Sequence, residues 1–273
     1  MVWRLPFGRH FLRSCHMVLR RRLVAVMGAG VALACRTAAP PGIEGALTSC
    51  VPAGTVILAG VDLRQLRASP LFQQLPPAAA ALLQQLRDAN YALLAFNGRD
   101  FLAIARGTFR EAPPGATLIG AGLAALGAPD SVRAAAAQHR TGSTGAPELE
   151  GYAAGLAPGS QVWMAAQGAA TLPLQGNAAN LNRLLHETRY VTVTARVGEG
   201  LALDATAVCG TPDAARRFEE SLRGLLSLAG AASVRQPSLG ALLTSIPVSR
   251  DGGTVRATLS ATPAATRELL RLF

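Results

Sequence analysis

The chain has 273 residues, half of them hydrophobic, so it can bury a core as one large domain or two modest ones and is too apolar to be disordered. Its formal net charge is +10, and every basic residue is arginine. Six of the 26 arginines precede Cys35, where no acidic residue occurs, which leaves 20 arginines against 16 acidic residues in the rest of the chain. The excess charge therefore belongs mostly to a leader. Because no basic stripe interleaved with aromatic residues remains, the composition argues against nucleic-acid binding.

Residues 17–35 have the three parts of an export signal. A basic start at Arg20 to Arg22 is followed by an apolar run from Leu23 to Ala34, and a small residue precedes Cys35. A membrane-spanning helix needs about 20 apolar residues, whereas the apolar part of a secretory signal has about 7–15. Residues 1–34 are therefore predicted to be an export signal, with Met17 as an alternative start, rather than a membrane helix.

The residues before Cys35 resemble the lipobox of bacterial lipoproteins, although Ala32 and Leu33 stand in the opposite order from the usual pattern. In that family, signal peptidase II cuts before the cysteine. The resemblance implies that the thiol and the new amino group of Cys35 carry acyl chains such as palmitate. Cleavage by signal peptidase I after Ala34, which would release a soluble secreted protein, is the alternative. Residues 35–46 are rich in Pro, Gly and Ala and are predicted to be a flexible tether.

Residues 47–140 are predicted to form a first α+β half. The apolar run Thr55–Val61 is typical of a buried strand, and two further apolar runs flank Asn97-Gly98, which favours a hairpin with a type I′ turn. These two strands are apolar on both faces, so we expect them in the interior of the sheet. Residues 141–159 begin with a Gly/Ser/Thr-rich stretch and are predicted to be a linker.

Residues 160–273 are predicted to form a second α+β half, and residues 190–228 are its clearest part. Two runs of alternating apolar and polar residues on either side of Gly198–Gly200 predict a hairpin. Thr211 then precedes a proline and a long segment with one apolar stripe, which predicts a capped amphipathic helix. Residues 235–243 have no clear pattern.

Three predicted helix starts share the pattern Pro-x-x-x-Arg after a strand. They are Pro129 with Arg133, Pro212 with Arg216 and Pro263 with Arg267. Proline in the first turn followed by a solvated arginine is ordinary at a helix start, so we favour this interpretation over three anion sites. The repetition favours an α+β fold of repeated βαββ-like units, with an antiparallel sheet and amphipathic helices packed on one face.

Sequence motifs predict no catalytic, cofactor-binding or metal site. The stretch Gly120–Ala125 satisfies the dinucleotide-binding pattern, but the predicted helix starts at Pro129 and not at the glycines. Asp62 follows a strand, where α/β enzymes often place a carboxylate, yet a helix cap explains it better. Beyond Cys35, the histidines and cysteines have no recognised ligand spacing, and no G-x-S-x-G motif occurs.

Two cysteines of the folded part have two interpretations. Export would bring Cys50 and Cys209 into an oxidising compartment, where they could form a disulfide. Cys209, however, has the inward parity of Leu201 and Leu203, which suits a buried free thiol. Both alternatives stay open at this point.

The leader and the lack of a reactive centre together predict a lipid-anchored envelope protein facing the periplasm, with a non-enzymatic interaction or structural role. Its expected partners are the membrane, through acylated Cys35, and an envelope protein. The alternative is a periplasmic carrier of an apolar ligand or lipid held between sheet and helices. An envelope hydrolase is the least favoured, because no catalytic constellation is present.

Overall fold

Ten antiparallel strands form one sheet, and eight α-helices accompany it, in the residues that the computed structural model describes. The described residues are 45–74, 84, 86–156, 159–168, 170–172, 180–233 and 236–270. The strands are β1 Ile57–Asp62, β2 Ala89–Phe96, β3 Phe101–Gly107, β4 Thr117–Gly120, β5 Leu123–Gly127, β6 Val162–Gln167, β7 Thr188–Val197, β8 Leu201–Cys209, β9 Val248–Asp251 and β10 Thr254–Ala261. The helices are α1 Gly45–Thr48, α2 Leu63–Arg67, α3 Pro129–His139, α4 Pro147–Ala154, α5 Asn180–His186, α6 Pro212–Ala232, α7 Pro237–Thr244 and α8 Pro263–Leu270, and a 3-10 helix spans Pro70–Gln74. The predicted α+β class and antiparallel sheet are confirmed, whereas the repeated βαββ-like units remain a prediction.

The two halves of the sheet have the same strand order. The full order is β4-β5-β3-β2-β1-β6-β7-β8-β10-β9, so each half arranges its five strands in the same way outward from the β1–β6 pair. The register is also irregular at the same place in both halves, between Ala89 and Tyr91 on β2 and between Thr188 and Tyr190 on β7. One connection differs clearly: residues 108–116 join β3 to β4 without a helix, whereas α6 and α7 stand between β8 and β9.

Helices pack on both faces of the sheet, so the prediction of helices on one face is wrong. Leu58 on β1 lies in the core that α3 and α4 cover, whereas Val191 on β7 lies in the core that α6 covers. Leu58 pairs with Ala165, which in turn pairs with Thr192. Because successive residues of a strand point to opposite faces, Val191 and Leu58 lie on opposite sides of the sheet.

Helices pack on both faces because the face of Leu58 is apolar in the first half of the sheet and polar in the second. On the face of Leu58, the first half presents apolar side chains such as Leu93 and Ile104, which α3 and α4 bury. The second half presents polar side chains such as Asp204 and Thr258 on that same face. Its apolar side chains point the other way, so α6 covers the opposite face there.

The predicted hairpins form, with one correction to a turn. β2 and β3 are joined by four residues, 97–100, and not by the predicted two-residue type I′ turn, because Phe96 pairs with Phe101. The side-chain oxygen of Asn97 accepts hydrogen bonds from the N–H groups of Arg99 and Asp100 at 3.0 and 2.8 Å, and Gly98 has a φ of +91°. The interior position predicted for β2 and β3 is confirmed.

The segment predicted as a linker, residues 141–159, contributes to the core. It contains α4, whose Leu149 and Ala153 are fully buried in the same cluster as Leu58. Before α4, the N–H of Gly145 donates to the carbonyl of Val51 at 2.8 Å. The two halves are therefore joined both by this packed segment and by the continuous sheet.

Trp163 lies at the junction of the two halves. It stands on β6 opposite Gly60 of β1, and its side chain is 1% exposed. A Cβ atom at position 60 would overlap the indole ring, so the ring occupies space that only glycine leaves open. The indole N–H donates to the hydroxyl of Tyr91 on β2 at 2.6 Å. One side chain of the second half thus reaches across β1 to β2 of the first.

We expect Tyr91→Phe to lower the free energy of unfolding by about 1–3 kcal/mol, because it removes the acceptor of a buried indole N–H. Tyr152→Phe is the matched control: its ring stacks on that of Tyr190 at 3.9 Å, and its hydroxyl has no hydrogen-bond partner among the described residues. Guanidinium unfolding of the two variants measures the difference. Equal stability of both variants would contradict the role assigned to the Trp163–Tyr91 bond.

Candidate functional site

A cleft lies where α6, α7 and the start of β9 meet. It has a volume of about 450 Å³ and is open to solvent. Its described lining consists of Arg223, Leu226 and Ser227 on α6, Leu243 and Thr244 on α7, and residues 245–248. Small-molecule sites commonly fall between about 300 and 1,000 Å³, so the volume suits a small molecule or a few side chains of a partner.

Helix α6, which forms one wall, begins where the sequence predicts. The side-chain oxygen of Thr211 accepts a hydrogen bond from the N–H of Ala214 at 3.1 Å, and Pro212 is the first helical residue. The apolar stripe buries Ala215 and Phe218 against the sheet. This packing fixes the helix across β8, β10 and β9 and leaves its last turns to form the cleft.

Helix α7, which forms the other wall, crosses α6 at two glycines. A Cβ atom on Gly240 would lie 2.9 Å from the carbonyl oxygen of Gly230, and one on Gly230 would lie 2.6 Å from the methyl carbon of Thr244. The two helix backbones therefore approach closely, about one turn from the residues of each helix that line the cleft. The glycines thus determine the separation of the two walls.

Arg223 links α6 to the edge strand β9 at the rim of the cleft. Its guanidinium donates to the carboxylate of Glu219 at 2.8 Å and to the carbonyl of Val248 at 2.6 Å. The second oxygen of Glu219 accepts from Arg250 of β9 at 3.0 Å, and the Glu219 side chain is 17% exposed. Two arginines share one carboxylate, so the rim carries a net positive charge.

The described lining combines apolar surface with hydroxyl groups. Leu226, Leu243 and Ile246 supply apolar surface, while Ser227 and Thr244 supply hydroxyls. No histidine and no carboxylate is among the described lining residues. An arginine beside apolar surface is the combination that holds an amphiphile or an anionic side chain.

The structure brings together one pair that the sequence patterns do not predict. The hydroxyl of Ser49 lies 2.9 Å from Nδ1 of His139, although the two residues are 90 positions apart. Ser49 is only 4% exposed, and its hydroxyl also donates to the carbonyl of Ala46 at 2.9 Å. A buried hydroxyl that already has a backbone acceptor is not poised to attack a substrate. The pair joins α1 to the end of α3.

The other suggestive residues have structural roles. Asp62 caps α2, because its carboxylate accepts from the N–H of Gln65 at 2.8 Å and from the Gln65 side chain at 2.9 Å. Gly120 and Gly122 lie at the β4–β5 turn, and β5 follows them instead of the helix that a dinucleotide site requires.

The three predicted helix starts are also structural. Pro129, Pro212 and Pro263 each begin a helix. Arg133 and Arg216 form ion pairs with Asp130 and Asp213 in their own first turns, the second at 3.5 Å. These pairs are ordinary helix-surface contacts.

Cys50 and Cys209 are free thiols buried in different core clusters, on opposite faces of the sheet. The structure therefore does not contain the disulfide between them that the sequence leaves open. Burial raises the pKa of the Cys50 thiol, opposed by a hydrogen bond with Ser49. Burial also raises the pKa of Cys209, reinforced by the carboxylate of Glu187 and opposed by Arg217.

Cys35, the predicted lipidation site, and the export signal lie outside the described residues. Within the described ranges, no helix combines the length and the apolar composition that crossing a bilayer requires. The same residues contain no group of three or more His, Cys, Asp or Glu side chains that could hold a metal ion.

No protein-family model matches the chain, and no curated protein matches it. Among solved structures, the chain is similar to crystal form I of TP0453, with a TM-score of 0.46 and 8% sequence identity. The alignment covers 86% of this chain and 100% of that one. A likeness at this level carries no functional argument.

We expect Gly240→Ala to lower the free energy of unfolding by about 1–3 kcal/mol, because the added methyl group forces α7 away from the Gly230 carbonyl. Gly224→Ala is the matched control on α6, where a Cβ atom meets nothing within 4 Å. There, the better helix propensity of alanine should raise stability by about 0.5–1 kcal/mol. Guanidinium unfolding gives both values, and effects of the same sign would contradict the close crossing.

We expect Cys50 and Cys209 to react with iodoacetamide at neutral pH far more slowly in the folded protein than in guanidinium. The reactive form is the thiolate, and a raised pKa together with burial lowers both its population and its accessibility. Peptide masses after labelling separate the two sites from Cys15 and Cys35. If the two thiols of the native protein are labelled as fast as those of the denatured protein, they are not buried. If they are not labelled in protein that was unfolded without a reducing agent, they form a disulfide.

Proposed function

We propose that the chain is an exported protein anchored in the cell envelope by acyl chains on Cys35. The observation that carries the proposal is the order of its first 46 residues: a basic start, a short apolar run, a cysteine after small residues and a Pro/Gly/Ala-rich stretch. The described fold supports it, because a packed domain begins at α1, directly after this stretch. The domain then faces the periplasm at the end of a short tether.

The folded part acts in this proposal as a non-enzymatic interaction module. The support is the cleft between α6 and α7, which offers apolar surface, hydroxyls and Arg223 without a catalytic acid or base among its described lining. A scaffold of regular sheet with one added surface element is a common way to present a binding site.

The proposal includes a repeat of one βαββ-like unit in the two halves of the sheet. The equal strand order and the register irregularities at equivalent positions of β2 and β7 support it. The pair α6–α7 is then an addition to the second copy, between β8 and β9. An element that one copy has and the other lacks is a reasonable place for a function that the shared sheet does not supply.

The alternative is a periplasmic carrier of an apolar ligand or lipid. The cleft of about 450 Å³ with Leu226, Leu243 and Ile246 favours it. The sequence-based expectation placed the ligand between sheet and helices, whereas this cleft lies between two helices at the edge of the sheet. Arg223 at its rim would suit an amphiphile with an anionic group.

We expect intact-mass analysis of membrane-extracted protein to show a chain that starts at Cys35 and carries acyl groups. Cys35→Ala should abolish the acylation and release the protein from the membrane fraction, while Cys50→Ala, the control, should retain both. Recovery of unmodified wild-type protein in the soluble fraction would contradict the anchor.

Native mass spectra distinguish the two functions of the folded part. The carrier function predicts a small-molecule adduct that Leu243→Trp removes, whereas the interaction module predicts no adduct.

A further inference from the structure

The chain enters the folded domain beside one end of the sheet. Helix α1, Gly45–Thr48, packs over β3 through the fully buried Leu47. Directly after it, Ser49 bonds His139 at the end of α3, and His139 in turn lies against Gly120, where a Cβ atom would be 3.0 Å from Nε2. The point of entry is therefore next to the edge strand β4.

The tether is about as long as the distance from its point of entry to the far edge of the sheet. Nine residues separate Cys35 from Gly45, so the two Cα atoms can be at most about 35 Å apart. Strand β3 is third from the β4 edge, and β9 lies seven strands beyond it, roughly 34 Å away at about 4.8 Å per strand. An acyl anchor on Cys35 thus limits how far the β4 edge can lie from the membrane, whereas the β9 edge can stand further away.

The β4 edge also has a surface suited to a lipid headgroup layer. Leu118 on β4 is 42% exposed, one of two large hydrophobic residues exposed in the described part of the chain. Residues 101–140 carry two more positive than negative charges: Arg106, Arg110, Arg133 and Arg140 against Glu111 and Asp130. Each arginine near an anionic bilayer contributes about 1 kcal/mol of attraction, and a tether makes such weak contacts effective by keeping them at high local concentration.

We propose that in the anchored protein the β4 edge, with Leu118, lies against the bilayer surface and the cleft between α6 and α7 points away from it. This orientation rests on the proposed lipid anchor. It presents the cleft to molecules on the side away from the anchoring membrane, since the cleft adjoins β9 at the far edge of the sheet.

The two exposed leucines provide a matched pair of reporters. Leu118 is on the β4 edge, and Leu228, 69% exposed, is on α6. Leu118→Trp and Leu228→Trp share one background signal, that of Trp163, which is buried, while Trp3 precedes the cleavage site. The full chain is expressed with its leader, extracted from membranes and reconstituted into phosphatidylethanolamine–phosphatidylglycerol vesicles that contain headgroup-spin-labelled lipid.

We expect the spin label to remove most of the emission added by Leu118→Trp and little of that added by Leu228→Trp. Arg140→Glu should reduce the quenching at position 118, whereas Arg216→Glu on α6, the control, should leave it unchanged. Equal quenching of the two reporters, or stronger quenching at position 228, in protein whose mass shows the acyl groups would overturn the orientation and leave the anchor standing. Protein without acyl groups would instead contradict the anchor, and the orientation with it.

Discussion

The pairing of β1 with β6 holds the two halves of the molecule together, and Trp163 determines how closely they join. Two strands of a sheet can be hydrogen-bonded and still leave a groove between the side chains above them. Here, glycine at position 60 leaves that groove open, and the indole of Trp163 fills it and bonds Tyr91 beyond. The ring is part of the same buried cluster as Leu58, Leu93 and Leu149, so the sheet, α3 and α4 all pack around it.

The two halves of the molecule differ in the polarity of one face of the sheet. Both halves have the same strand order, yet α3 and α4 cover one side of the first half and α6 covers the other side of the second, because the face under α3 and α4 is apolar in the first half and polar in the second. One connection is also different, and it supplies both walls of the cleft. The result is a sheet that the described chain enters near β4 and that carries the cleft beside β9, at opposite edges.

Local features were predictable from the sequence, and contacts between distant segments were not. The hairpin of β7 and β8 follows from alternating residues around three loop residues, and the start of α6 follows from Thr211 and Pro212, since a cap and a first turn depend on neighbours only. The absence of a catalytic motif likewise left a binding role as the best expectation, although no pattern indicated where the site would be.

The four-residue turn at Asn97 was missed because a side-chain hydrogen bond competes there with the usual type I′ geometry. The cleft, the Ser49–His139 bond and the choice of face by each helix all require the strand order, which no local pattern contains. Helix α7 was not predicted because its contact with α6 depends on the close approach of Gly230 and Gly240.

The position of Trp163 in the chain has a consequence for biosynthesis. A polypeptide appears from its N-terminus, and residues 47–140 contain most of the first core but not the aromatic ring that completes it. Until β6 has followed, the space above Gly60 stays empty and β1 lacks one of its two neighbours. The N-terminal half therefore cannot complete its packing before β6 has been synthesised.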